Sequence, residues 1–325
     1  MTEKEINVKV EKNLNIVFKR SNYMDYLRVV GRLPNYNYKN HVLIFLKDRD
    51  ANYLASSNVW GKLNRKIKDD VTEKNLIWQL VPKIRNEYID LEGKRINGNI
   101  FTNNSKQEAI KTGRIIKRPV TMGYIVVGSY DISVTDIKDS TVQRDIKLDE
   151  FKVRLGSIGI DGLRQIVEKI IGEEIDADDY YSVSNLIRNV AIYLLNKKRE
   201  ENDIEMILTS GMEAGIICDS VAYAISTKMN NDVSDFTFDY IDAWYESNTE
   251  DESGRQKINR CIEYISKFTC DVINIFNKEL GMSDVNDSGV IEYNEEMKKR
   301  FMSAALAYNT RVCAKNMEIT RSSNG

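Results

Sequence analysis

An α+β fold is what this sequence predicts: a basic α+β part followed by a mainly helical, acidic part. Three observations lead there. The chain has 325 residues, 42% of them hydrophobic and 30% charged, enough to bury a core in each of two ordinary domains. All three prolines, Pro34, Pro82 and Pro119, lie in the first part, among short elements, and after about residue 146 an uninterrupted helical periodicity takes over. The charge also divides. Residues 1–130 hold 24 Lys and Arg against 13 Asp and Glu, a net of +11, and the remainder holds 23 against 36, a net of −13. Such asymmetry points to a module for polyanions joined to one with another task. The division expected is 1–145 and 146–325, with a linker near 136–150.

The elements follow from local pattern. Residues 22–33 and 39–48 read as two short helices broken at the Leu-Pro-Asn-Tyr-Asn turn, and 56–67 as a third opening after a serine cap. Residues 75–84 read as a strand. Residues 86–118 are polar and rich in turn signals, so a long loop or loose hairpin is expected. Residues 121–134 carry the clearest strand pattern, β-branched, aromatic and punctuated by glycine. Helices are expected over 161–171, 180–198 and 204–229. Another starts near 234 with Ser234 or Asp235 as N-cap, followed by 252–280 and 292–316. In 252–280 the stripe Ile258, Ile262, Ile265, Val272 and Phe276 marks the buried face.

Composition excludes several chemistries. The single histidine, His41, cannot build a His₃, His₂Glu or Cys₂His₂ zinc site, and it sits in an apolar run that suits helix packing. Cys218, Cys261, Cys270 and Cys313 show no C-x-x-C spacing and read as reduced thiols. No apolar run reaches the length of a membrane span, and the charged first residues do not form a secretory signal, so a cytoplasmic protein is expected. Neither a phosphate-binding G-x-x-x-x-G-K-[ST] loop nor a G-x-S-x-G elbow occurs. The acidic run 176–182 lacks the glycine and terminal glutamate of a calcium loop and reads as a helix cap. No cofactor is expected.

Single-stranded nucleic acid asks for cations against phosphates and flat rings against bases. Tyr36, Tyr38, Lys39 and Asn40 offer one such cluster, and Trp60 with Lys62, Arg65, Lys66 and Lys68 a second. A helix over 56–67 would put Lys62, Arg65 and Lys66 on one face. Arg114, Lys117 and Arg118 gather at the end of the polar segment. The same rings serve a core equally well, with the lysines merely solvated.

These segments together resemble the N-terminal domain of the ArdC/LtrC family, antirestriction-type proteins of plasmids, conjugative elements and phages. Tyr36 and Asn40 stand in a Tyr-Ser-x-x-Asn-like motif, with Asn37 in place of the frequent serine. Trp60 and Arg65 follow, with Asn64 in place of glycine. Pro82 ends a strand, and Tyr130, Asp131, Ser133 and Thr135 form the last motif. The resemblance implies a single-stranded DNA-binding domain followed by a zinc metallopeptidase-like domain. The later part fits through Asp219–Tyr223 and through Tyr240, Ile241 and Trp244.

The zinc helix departs from that pattern. Arg188 and Ile192 stand at the two histidine positions and Asn189 at the glutamate position, while Gly215 and Ile217 replace acidic residues. None of these side chains serves as zinc ligand or general base. The implied domain is a degenerate pseudoenzyme, with Asp219 the candidate ion-pair partner of Arg188. The expected function is a non-enzymatic, single-stranded DNA-binding accessory protein of a phage or mobile element. The alternative is an anti-defence protein whose acidic part contacts a host nuclease or DNA-binding enzyme.

Overall fold

The computed structural model describes residues 1–96, 103–139, 158–175, 182–201 and 211–281. The boundary near residue 145, the helix expected over 292–316, most of the 176–182 run and Cys313 lie outside them. The described chain is a mixed α+β structure with an antiparallel sheet.

Helix α1 (Glu3–Val17) opens with a reciprocal Thr2–Glu5 capping box and buries Ile6, Val10, Leu14 and Val17. Its stripe is one residue wide within a charged segment, which hides it from a reading by composition. Helix α2 (Arg20–Arg32) has no cap of its own: the Arg20 backbone N–H donates to Asp242 Oδ1 at 2.6 Å, across 222 residues of chain. Helix α3 (Tyr38–Lys47) follows the Pro34 turn and is capped by the Asn37 side chain. Strand β1 is Leu54–Ala55, and α4 (Ser57–Lys62) is half the length expected over 56–67. Asn64, at φ 60°, turns the chain out of the helix and into β2 (Arg65–Ile67).

Strands β3 (Ile77–Ile89) and β5 (Ile116–Asp131) form one long antiparallel ribbon, in register from Ile77↔Ser129 to Ile89↔Ile116. Between Pro82 and Ile84 strand β3 advances two residues while β5 advances three, so Met122 and Gly123 together oppose Lys83. Gly123 takes φ 134° in this bulge, a conformation open to glycine. The segment expected as a loop over 86–118 is instead the distal ribbon. It carries β4 (Arg95–Ile96) paired to the end of β3, and helix α5 (Asn103–Lys111). Beyond Leu80 neither face of the ribbon meets the core, so the alternation that normally betrays a strand is absent there. The four-stranded order is β1-β5-β3-β4, and β2 pairs separately with β6 (Thr135–Ile137).

The later part supplies α6 (Gly159–Ile171), α7 (Val183–Glu200), α8 (Gly211–Lys228), α9 (Ile241–Ser247) and α10 (Glu252–Glu279). The expected N-cap at Ser234 or Asp235 is corrected. The chain from 234 to 240 turns instead, sending Phe236 and Phe238 against Tyr223, and the helix begins at Ile241. In α10, capped by Asp251, the whole expected stripe is buried. Helix α8 is apolar on nearly every side and lies in the middle, packed by α7, α2 and α10. At the α2 crossing, Gly31 meets Ala224 so closely that a Cβ would sit 2.0 Å from the Ala224 carbonyl oxygen. Leu27, Ile44 and Leu80 therefore belong to the same apolar core as Val190, Val221 and Ile262. The charge division of the sequence lies on the surface of a shared interior.

Candidate nucleic-acid interface

The residues singled out in the sequence separate into two groups about 40 Å apart along β5, at ~3.3 Å per residue. The first group sits at the root of the ribbon, where most of it is structural. Trp60 is 0% exposed, and its Nε1–H donates to the Tyr130 carbonyl at 2.9 Å. No ring face is open to a base, which corrects the stacking role expected for it. Asn40 is buried and holds the outer edge of β3. Its Nδ2 donates to the Leu80 carbonyl at 2.9 Å, and its Oδ1 accepts from the Leu80 N–H at 2.7 Å. One side chain thus replaces a neighbouring strand.

Tyr36 is half-buried, with burial raising its phenol pKa, and its hydroxyl reaches the Leu54 carbonyl at 3.4 Å. Burial also pushes the Tyr38 phenol up, to about 12. Lys39 Nζ donates to Asn7 Oδ1 at 2.8 Å. Arg65 donates from Nε to Thr135 Oγ1 at 2.6 Å and from its terminal nitrogen to the Thr135 carbonyl at 3.1 Å, with its guanidinium 6.0 Å from the centre of the Trp60 ring. Lys68 Nζ donates to the Ser133 carbonyl at 2.7 Å, and Lys66 lies 3.9 Å from Asp69. The shared helical face expected for Lys62, Arg65 and Lys66 does not form, because only Lys62 is helical.

The second group lies on the ribbon's distal arm. Residues 83–118 hold nine Lys and Arg against four Asp and Glu, a net of +5. Glu87 is taken by Arg85 at 3.1 Å and Arg95 at 3.2 Å, and Lys106 lies 4.1 Å over the Tyr88 ring. Asp90 Oδ1 accepts from the N–H groups of Glu92 and Lys94 and closes the turn to β4. Lys83, Lys111, Arg114, Lys117 and Arg118 are all exposed, and their side chains pair with no other described residue. Of the sequence candidates, Arg114, Lys117 and Arg118 are thus the ones left open to an anion. Lys83 and Lys111 join them; the loop expectation over 86–118 concealed that Lys83 shares a ribbon with Lys117 and Arg118.

In the helical part Arg188 of α7 forms an ion pair with Asp219 of α8, from Nε to Oδ1, as expected for the two facing helices. Tyr240 donates its hydroxyl to Asp219 Oδ2 at 3.4 Å, and burial together with this carboxylate raises the Tyr240 pKa well above its usual value. Asn189 and Ile192 are half-buried on the same helix, Ile192 against the core. Burial pushes the Cys218 thiol up to about 12, far from a nucleophile's range.

His41 is a core residue. Its Nε2 lies 2.8 Å from the Leu33 carbonyl and must donate to it, which leaves Nδ1 to accept from the Ser266 hydroxyl at 3.0 Å. Among the described residues no three His, Cys, Asp or Glu side chains gather as metal ligands, and no helix is long and apolar enough to cross a membrane. Compared with protein-family models, with curated proteins and with solved structures, the chain matches none.

Proposed function

We propose that this chain is a non-enzymatic accessory protein that holds single-stranded DNA through its ribbon arm. One observation carries the reading: five exposed cations, Lys83, Lys111, Arg114, Lys117 and Arg118, stand on one projecting element without a carboxylate partner among the described residues. Cations left unpaired on a protein surface release counterions from a polyanion without first breaking ion pairs of their own. The resemblance to the ArdC/LtrC family adds the antirestriction setting: DNA of a phage or mobile element, shielded or assisted in the cytoplasm of a bacterial host. The pseudoenzyme reading of the helical part draws support from Arg188. Its guanidinium, held by Asp219 where the family pattern has zinc ligands, repels a dication and donates no lone pair.

The test is fluorescence anisotropy of the full chain with labelled single-stranded and duplex oligonucleotides at two salt concentrations. Salt-sensitive binding that favours the single strand is the expected result. No binding at low salt overturns the reading.

A further inference from the structure

Six of the large hydrophobic side chains left exposed lie on one ribbon: Val81, Ile84, Ile116, Met122, Tyr124 and Ile125. Their placement relative to the cations follows from the register. Strand β3 is uninterrupted by the bulge, so Val81, Lys83 and Arg85 point to one face, and their cross-strand partners follow: Ile125 pairs with Val81, and Arg118 pairs with Glu87 two residues further on. Met122, 51% exposed, sits in the bulge opposite Lys83, and Ile125 is 50% exposed. This face therefore sets apolar side chains beside Lys83 and Arg118, with Glu87 on the same face already paired to Arg85 and Arg95.

We infer that the strip Val81, Met122 and Ile125 makes the arm select single strands over duplex, by covering unpaired bases while Lys83 and Arg118 hold the flanking phosphates. The inference rests on the reading proposed above and adds the origin of its strand preference. A duplex keeps its base faces stacked inside and has nothing to lay on an apolar strip; a single strand does. A polyanion suits the arm better than a second copy of it, since residues 83–118 carry a net charge of +5. Pairing at the ribbon edge is also opposed, since Pro82, Pro119 and the Gly123 bulge are features that block strand addition.

The experiment uses the full chain and three proteins: wild type, Met122→Thr with Ile125→Thr, and Lys83→Gln with Arg118→Gln. The probes are a labelled oligothymidine of about 20 nucleotides, longer than the ~4–16 nucleotides of common single-strand sites, and a duplex of the same length. Both apolar positions are exposed, so thermal melting is expected to stay unchanged. The apolar variant should lose roughly tenfold in single-strand affinity, keep its duplex affinity and keep its salt slope. The charge variant should weaken on both probes and flatten the slope.

An unchanged single-strand-to-duplex ratio in the apolar variant, with wild type still binding, overturns this inference and leaves the DNA-binding reading standing. Wild type that binds neither probe overturns both. Self-association abolished in the apolar variant by sedimentation, with DNA binding intact, assigns the strip to an interface between copies and overturns the inference as well.

Discussion

Asn40 satisfies both outward backbone groups of Leu80, and so closes the edge of β3 at that residue with a single side chain. Replacing Asn40 with alanine strands a buried N–H and a buried carbonyl, each worth about 1–3 kcal/mol when left without a partner. Asn40→Ala is expected to destabilise the fold by about 2–4 kcal/mol. Urea unfolding checks this as a lower midpoint at unchanged slope. A midpoint shift under ~0.5 kcal/mol equivalent would mean that water takes over the edge.

The two cation groups should behave differently. Neutralising Lys83, Lys117 and Arg118 to glutamine should flatten the salt dependence of single-strand binding by roughly 0.7 for each phosphate no longer neutralised, with little change in melting. Arg65→Gln should do the reverse, because its guanidinium binds Thr135 at two atoms and lies by Trp60. Salt titrations and thermal melts of both variants separate the roles. A flattened slope from Arg65→Gln alone would return the site to the ribbon root.

His41 gives the fold a pH dependence of definite sign. Burial, opposed only by its bond to Leu33, lowers its pKa from 6.5 to about 4. The unfolded chain then binds a proton between those values while the folded chain does not, so stability falls as pH drops from about 6.5 towards about 4. The full loss from this group is on the order of 3 kcal/mol. His41→Gln, compared with wild type by denaturation at about pH 7 and about pH 4.5, should lose less stability on acidification. Equal losses would mean that His41 does not carry the effect.

The Arg188–Asp219 pair is partly open to water, with side chains 40% and 25% exposed, so its contribution should be modest. A double-mutant cycle with Arg188→Met and Asp219→Asn is expected to give a coupling of about 1 kcal/mol. Placing histidines at positions 188 and 192 alone should not create a tight zinc site, since among the described residues no cluster of ligands is waiting. Zinc bound stoichiometrically by Arg188→His with Ile192→His would contradict that.

What the sequence disclosed depended on the core. The α10 stripe from Ile258 to Phe276 was legible because one face is buried for its full length. The Arg188–Asp219 pair was reached only through the ArdC/LtrC resemblance, on the condition that the two helices face one another. The distal ribbon was not legible, because beyond Leu80 neither of its faces joins the main core and its residues follow no apolar alternation. Helix α4 was overextended because Asn64, a tolerated helix residue by propensity, takes a left-handed turn there. Trp60 was ambiguous from its neighbours alone: the partner that buries its indole N–H, Tyr130, lies 70 residues away.

The close backbone approach of Gly31 to Ala224 also bears on how the protein can be taken apart. A cut anywhere between α3 and α6 leaves two pieces that each expose half of an interior, and such fragments should fold only when mixed. The distal arm is different: beyond Val81 and Ile125 it is joined through two paired strands. Excising it and closing the strands with a short turn should leave the apolar packing of the other described residues in place, a result that thermal melting of the shortened chain checks.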